Sequence, residues 1–224
     1  MKPKENKGDN VGNYDNCQTP PYALEPLIPH IESFQIWECA SGKGTLLREL
    51  RKHFLIVAGT DISEGKDFLK FKYWAYGFEM QDYTIVTNPP YSIKYEWLEQ
   101  CYRIGLPFAL LMPVEMLGTA KGQKLFDKHG IEVIFMSPRV DFYMPNKGYE
   151  GGGAQFPTAW FTWGLNLPQQ INFATLNKPK RSELAEYWKE ALGAERISID
   201  GVMSVGNSLP TAINDAGSNP ASST

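Results

Sequence analysis

The residues with the most pointed chemistry are Asn88-Pro89-Pro90-Tyr91, which follow the apolar run Tyr83–Thr87. Asn88 precedes a proline and is pushed out of the helical region. Pro89 and Pro90 fix their φ angles and donate no N–H. The Asn88 carboxamide oxygen and the Pro89 carbonyl can therefore both point at one external donor pair, and an exocyclic NH2 is such a pair. Its lone pair is delocalised, which makes it a poor nucleophile. Two acceptors that bind its hydrogens favour a more tetrahedral nitrogen, whose lone pair can attack a methyl sulfonium in line. Tyr91 can stack on the acceptor face, worth roughly 1–3 kcal/mol per base. Asn-Pro-Pro is also a common loop punctuator. Here it follows a strand, lies downstream of a glycine turn and ends in an aromatic, which favours the chemical reading.

A second group precedes it: Glu38-Cys39-Ala40-Ser41-Gly42-Lys43-Gly44, between an expected strand and an expected helix. Glycines there allow positive φ and close approach of a ligand to the backbone, and a helix start offers unpaired N–H groups. The turn is not a dinucleotide fingerprint, because Leu46 and Leu47 stand where the third glycine belongs. Nor is it a P-loop, because Lys43 lies between the glycines. Asp61, at the end of the next strand, is placed to accept from ribose hydroxyls. Asp67-Phe68 offers an acceptor beside an apolar face, suited to an adenine ring. Each feature alone has a plain structural reading: a tight turn, a helix cap at Asp61, a surface acid, a core ring. Their order and spacing together point to a nucleoside cofactor.

These residues need a scaffold that delivers them to one place. The periodicity predicts helices over 23–31, 45–54, 95–104, 121–128 and 183–192, the last on the surface. It predicts strands over 33–39, 55–60, 83–87, 108–112 and 131–136, with 158–163 as the last strand. Strands alternating with helices predict an α/β, Rossmann-like fold with a mostly parallel sheet flanked by helices. Ligands in such sheets sit at the carboxyl ends of the strands, near the topological switch point, where Glu38–Gly44, Asp61 and Asn88–Tyr91 fall.

The 224 residues suit one domain. Residues 1–13 read as a flexible N-terminus, 14–200 as the catalytic domain and 201–224, rich in Gly, Ser, Asn, Pro and Ala, as a disordered tail. No apolar run approaches the ~20 residues of a membrane span, and no apolar segment follows the charged first residues as in a secretory signal. A cytoplasmic location, with no membrane association, is expected. Cys17, Cys39 and Cys101, like His30, His53 and His129, are scattered, so reduced thiols and no metal site are expected. A net charge of −3 argues against coating nucleic acid by charge alone, while leaving room for a local basic patch. Lys178-Pro179-Lys180-Arg181 is the densest basic run and a modest phosphate candidate. Lys121, Lys124 and Lys128 read as a solvated helix face.

The motif order resembles that of the amino-group DNA methyltransferases, in particular the small adenine-N6 enzymes of phages and prophages. The resemblance rests on Thr19-Pro20, Glu38 to Gly44, Asp61, Asp67-Phe68 and Asn88 to Tyr91, and covers roughly residues 14–163. It implies a Rossmann-like S-adenosylmethionine-dependent methyltransferase fold, with S-adenosylmethionine as cofactor and double-stranded DNA as partner. Thr19 and Pro20 would border the methionine end of the cofactor. Glu38, Ala40 and Gly42 would line its methionine and ribose region, Asp61 would bind the ribose hydroxyls, and Asp67 with Phe68 would hold the adenine. Asn88, Pro89 and Tyr91 would hold the target base, with Phe142 or Tyr143 as the second wall of its pocket. In a duplex the target nitrogen is inaccessible, so base flipping is implied. No long target-reading insert is visible. A short recognition loop near 138–157, with Lys147 and the run Gly151-Gly152-Gly153, predicts a short or degenerate target sequence. The same turn also occurs in methyltransferases of adenine in ribosomal RNA and of a protein glutamine amide. A non-catalytic cofactor-binding module is the rival of another kind, but it should lose Asn88 or Tyr91, and both are present.

Overall fold

The structure is a computed structural model that describes residues 15–72, 82–144 and 156–193. The expected N-terminus at 1–13, the expected tail at 201–224 and most of the expected recognition loop, including Lys147 and Gly151-Gly152-Gly153, lie outside the described residues. Among the described residues no helix is long and apolar enough to cross a membrane.

Seven strands form one sheet: β1 (Gln35–Glu38), β2 (Ile56–Gly59), β3 (Tyr83–Thr87), β4 (Phe108–Pro113), β5 (Glu132–Ser137), β6 (Thr158–Trp163) and β7 (Ile171–Thr175). Their order across the sheet is β2-β1-β3-β4-β6-β5-β7. All neighbours are parallel except β6, which runs antiparallel to both β4 and β5. The mostly parallel Rossmann-like sheet expected from the sequence is therefore present. The chain steps outward from β1 to β2 and then returns to the other side of β1 as β3. The switch point lies between β1 and β3, where an open α/β sheet leaves its ligand crevice.

Alternation of side chains divides the core into two layers. Ile36, Val57, Val86, Leu111, Ile134 and Trp160 pack on one face. Trp37, Ile85, Leu110, Val133 and Phe161 pack on the other. The first face is covered by α1 (Thr45–His53) and α4 (Arg181–Gly193), the second by α2 (Lys94–Ile104) and α3 (Ala120–His129). In α1, Leu46, Leu47 and Leu50 turn inward while Arg51, Lys52 and His53 occupy the last turn, where cations complement the helix dipole. Thr119 caps α3 by accepting from the Gly122 N–H, and α2 stops at Gly105, which takes φ +78°.

Two expectations are corrected. Residues 23–31 do not form a helix; they make two short 3-10 turns, Pro21–Leu24 and Ile28–His30. Pro26 and Pro29 remove the N–H groups a continuous helix would need. The strand at 158–163 is not the last, because β7 pairs alongside β5 after it. The final helix lies on the surface as expected, its buried face made of Leu184, Trp188 and Ala191, the first two packed in the first core layer.

Candidate active site

The carboxyl ends of β1, β2 and β3 bring the glycine turn, Asp61 and Asn88 to one side of the sheet. Glu38 ends β1 and is almost wholly buried. Its Oε1 accepts from the Thr87 hydroxyl at 2.6 Å and from the Ala40 N–H at 3.3 Å. Its Oε2 is buried with no hydrogen-bond partner. Burial raises the Glu38 carboxyl to about 8, with Asp61 adding to the rise and the bonds from Thr87 and Ala40 opposing it. The group is a largely neutral acid at neutral pH.

The turn after Glu38 is shaped by its glycines. Gly42 and Gly44 take φ +51° and +77°, values that L-residues avoid. The Gly42 N–H donates to Asp61 Oδ2 at 2.9 Å. Asp61 Oδ1 accepts from the Ser63 N–H and hydroxyl at 2.9 and 2.6 Å. Asp61 thus ties the loop after β1 to the loop after β2.

Asn88, Pro89 and Tyr91 follow β3 directly. The Asn88 side-chain oxygen is buried and without a hydrogen-bond partner, and Pro89 is buried beneath it in the chain. Tyr91 is also buried, its hydroxyl likewise unpartnered. Burial holds that phenol well above its ordinary range, with Cys17 adding to the effect. The ring that meets Tyr91 is Phe156, edge to face at a centroid distance of 5.6 Å.

Thr19 and Pro20 are buried where the chain enters the first 3-10 turn. The residues just before them strap the site together. Asp15 accepts from the Ser92 N–H at 2.9 Å and from its hydroxyl at 2.5 Å. Gln18 pairs its backbone with Tyr143, and its side-chain oxygen accepts from the Lys43 N–H at 3.3 Å. Between them the Cys17 thiol donates to the Met144 sulfur at 2.9 Å. Burial, with Asp15 adding to it, pushes that thiol up to about 12, so it is protonated.

The side chains of the remaining expected residues have other partners. Phe68 stacks on Trp97 at 4.3 Å and meets the Trp37 edge at 5.4 Å, so its ring is enclosed by indoles. Asp67 caps the short turn Phe68–Lys70 through Leu69 N–H and pairs with Lys70. Phe142 lies in the first core layer, and the Tyr143 ring rests on Trp188 at 5.5 Å. In the basic run, Lys178 is bonded to the buried Asp141 at 2.7 Å. Lys121 pairs with Glu96 on the surface.

Sequence reading missed Thr87, Gln18, Asp15, Ser92 and Phe156. Thr87 had a signal in its place immediately before Asn88. The others become visible only when segments distant in sequence meet.

No family model matches the chain, and no curated protein matches it. Among solved structures, a protein assigned as a class I S-adenosylmethionine-dependent methyltransferase from Listeria monocytogenes aligns at 14% identity and TM-score 0.45, over 83% of this chain and 73% of its own. A predicted O-methyltransferase from Agrobacterium tumefaciens aligns at 12% identity and TM-score 0.39, over 69% and 82%. The 23S rRNA methyltransferase ErmE aligns at 14% identity and TM-score 0.41, over 76% and 74%.

Proposed function

We propose that the protein transfers a methyl group from S-adenosylmethionine to the N6 amino group of adenine in DNA. The observation that carries this reading is the Asn88 side-chain oxygen, a buried acceptor with no hydrogen-bond partner, held at the switch point by a Pro-Pro turn. An isolated buried acceptor costs stability unless a donor meets it, and an amino N–H is the donor its chemistry suits.

The residues fit the cofactor. The unpartnered Glu38 Oε2 is a buried polar atom beside the glycine turn that a polar group of the cofactor can meet. Asp61 lies at the end of β2, where a carboxylate meets ribose hydroxyls, and the positive-φ glycines leave the turn without side chains. When bound, the cofactor would supply an electrophilic methyl group on a sulfonium sulfur. Asn88 and the Pro89 carbonyl bind the amino hydrogens, orient the lone pair and stabilise the positive charge that grows on nitrogen, whose extra proton then leaves to solvent. The proton turns acidic only as the new bond forms, so no strong base is required beforehand. Tyr91 is the aromatic that would stack on the base.

The test is transfer of labelled methyl to duplex DNA, ribosomal RNA and protein extract, offered in parallel. Label on adenine in DNA supports the assignment. Label only in ribosomal RNA or only in protein assigns the same turn to a different planar amino group and overturns DNA as the substrate.

A further inference from the structure

We propose that Thr87 is a positioning residue of the transfer site, holding the acceptor turn and the glycine turn in register across the sheet's switch point through its bond to Glu38. The inference rests on the function proposed above and adds a residue that the motif pattern does not contain.

The geometry comes from where the backbone ladders end. Between β1 and β2 the pairing runs to Glu38 opposite Gly59. Between β3 and β4 it runs to Thr87 opposite Leu110. Between β1 and β3 the last pair is Trp37 opposite Ile85. The two strands that flank the switch point therefore part before their ends, while each stays bonded to its outer neighbour. Beyond that point the Thr87 hydroxyl reaches the Glu38 carboxyl at 2.6 Å and joins them again. Both side chains are buried, so water does not compete for the bond.

Each partner adjoins one half of the site. Thr87 is followed by Asn88, whose carboxamide must be placed to a fraction of an ångström for the amino group to be oriented. Glu38 is followed by the glycine turn. Because Oε1 accepts from both Thr87 and Ala40, the carboxyl plane is fixed, and Oε2 is the oxygen left without a partner. The charged group acting on Glu38 is Asp61, from the loop after β2, and the Cys39 thiol is its titratable neighbour on the turn itself. From β3 and the turn after it come Thr87 and Asn88, which do not titrate. The Thr87 hydroxyl favours the ionised carboxyl, so its removal drives the Glu38 titration to higher pH.

Thr87→Val keeps the shape and deletes the donor; Thr87→Ser keeps the donor and deletes a methyl. The readouts are turnover with DNA, S-adenosylmethionine binding by calorimetry across the Glu38 titration range, and the pH dependence of unfolding without cofactor. Thr87→Val is expected to lower kcat on the order of 10- to 100-fold with little change in the KM for DNA. It should also move the midpoint of the cofactor-affinity profile to higher pH. Thr87→Ser should restore both. In the unloaded protein, Thr87→Val should shift the pH dependence of unfolding, and Glu38→Gln should abolish that shift. Parent-like turnover and pH profile in Thr87→Val, while the parent binds the cofactor, overturn the positioning role alone. Equal impairment in Thr87→Ser also overturns it, since the methyl rather than the hydroxyl would then matter. A parent that binds no S-adenosylmethionine overturns the proposed function, and with it a positioning role at a transfer site.

Discussion

The backbone N–H of Gly42 donates to Asp61 Oδ2 at 2.9 Å, so the glycine turn and the end of β2 are one bonded unit. The second oxygen is held by Ser63. Together these bonds orient the Asp61 carboxylate. In the proposed function Asp61 both shapes the turn and meets ribose hydroxyls. Asp61→Ala should weaken S-adenosylmethionine binding by at least about tenfold, the loss of one charge-assisted hydrogen bond. Asp61→Asn should fall between, because a rotated carboxamide can still accept from Gly42. Calorimetric titration of the three proteins checks the ranking; parent-like affinity in Asp61→Ala would remove Asp61 from the cofactor site.

In the proposed function Asn88 serves the chemistry and not the binding of the cofactor. Asn88→Ala should reduce kcat on the order of 10²–10³-fold, as loss of a group aimed at transition-state charge does elsewhere. Cofactor affinity should change no more than a few-fold, since the carboxamide is reserved for the acceptor. Single-turnover methyl transfer and equilibrium binding on the same preparation distinguish the two effects. Substantial activity in Asn88→Ala would defeat the acceptor mechanism.

The two positive-φ glycines should not be equivalent. A Cβ at Gly44 would meet nothing within 4 Å, whereas one at Gly42 would lie 3.3 Å from the Gln18 amide. Both Gly→Ala changes incur the backbone penalty of a left-handed conformation, roughly 1–2 kcal/mol. That corresponds to a Tm lower by a few degrees in a chain of this size. Gly42→Ala should additionally displace Gln18 from the Lys43 N–H and weaken cofactor binding more than Gly44→Ala does. Thermal unfolding paired with calorimetry tests this, and identical cofactor affinities in the two variants would contradict it.

Glu38 makes stability fall as pH rises. Its carboxyl titrates near 8 in the folded protein against an ordinary value of 4.5. Between those limits the folded state binds the extra proton. The stabilisation is complete below about pH 4.5 and is lost progressively up to about pH 8, at no more than roughly 1.4 kcal/mol per pH unit. Glu38→Gln keeps a neutral, hydrogen-bonding side chain and should remove this slope. Chemical denaturation of both proteins across the window is the measurement. The parent should lose stability relative to the variant with increasing pH, and parallel curves would show that Glu38 does not carry the proton.

Lys178 serves as an internal ion-pair partner before any role on DNA. Asp141 is buried, its main-chain N–H donates to the Tyr22 hydroxyl at 2.8 Å, and its carboxylate holds Lys178. Lys178→Met should cost on the order of 3 kcal/mol, as breaking a buried pair does. The salt dependence of DNA binding should stay as in the parent. A slope reduced by about one, with stability unchanged, would instead mark a phosphate contact.

The sequence by itself determined the local and the periodic. The short apolar runs of β3 and β4, the leucines of α1 and the Gly-Lys-Gly turn each act within a few residues. Strand identity, parallel layering and the place of Glu38, Asp61 and Asn88 at strand ends were therefore legible. It determined less where a local pattern was interrupted or short. Pro26 and Pro29 break an apparently helical apolar spacing, and the five residues of β7 acquire their identity only by pairing with β5. Tertiary structure alone decided what the site residues touch. Side chains as far apart in sequence as Asp15 and Ser92, or Gln18 and Lys43, meet because the sheet brings their loops to one edge. Whether Phe68 faces a ligand or two indoles, and whether Lys178 faces solvent or Asp141, depends on packing that no spacing along the chain encodes. The Asn88-Pro89-Pro90-Tyr91 turn bridges the two levels. Proline chemistry fixed its shape in advance, while the reach from Thr87 to Glu38 exists only because β1 and β3 part at the switch point.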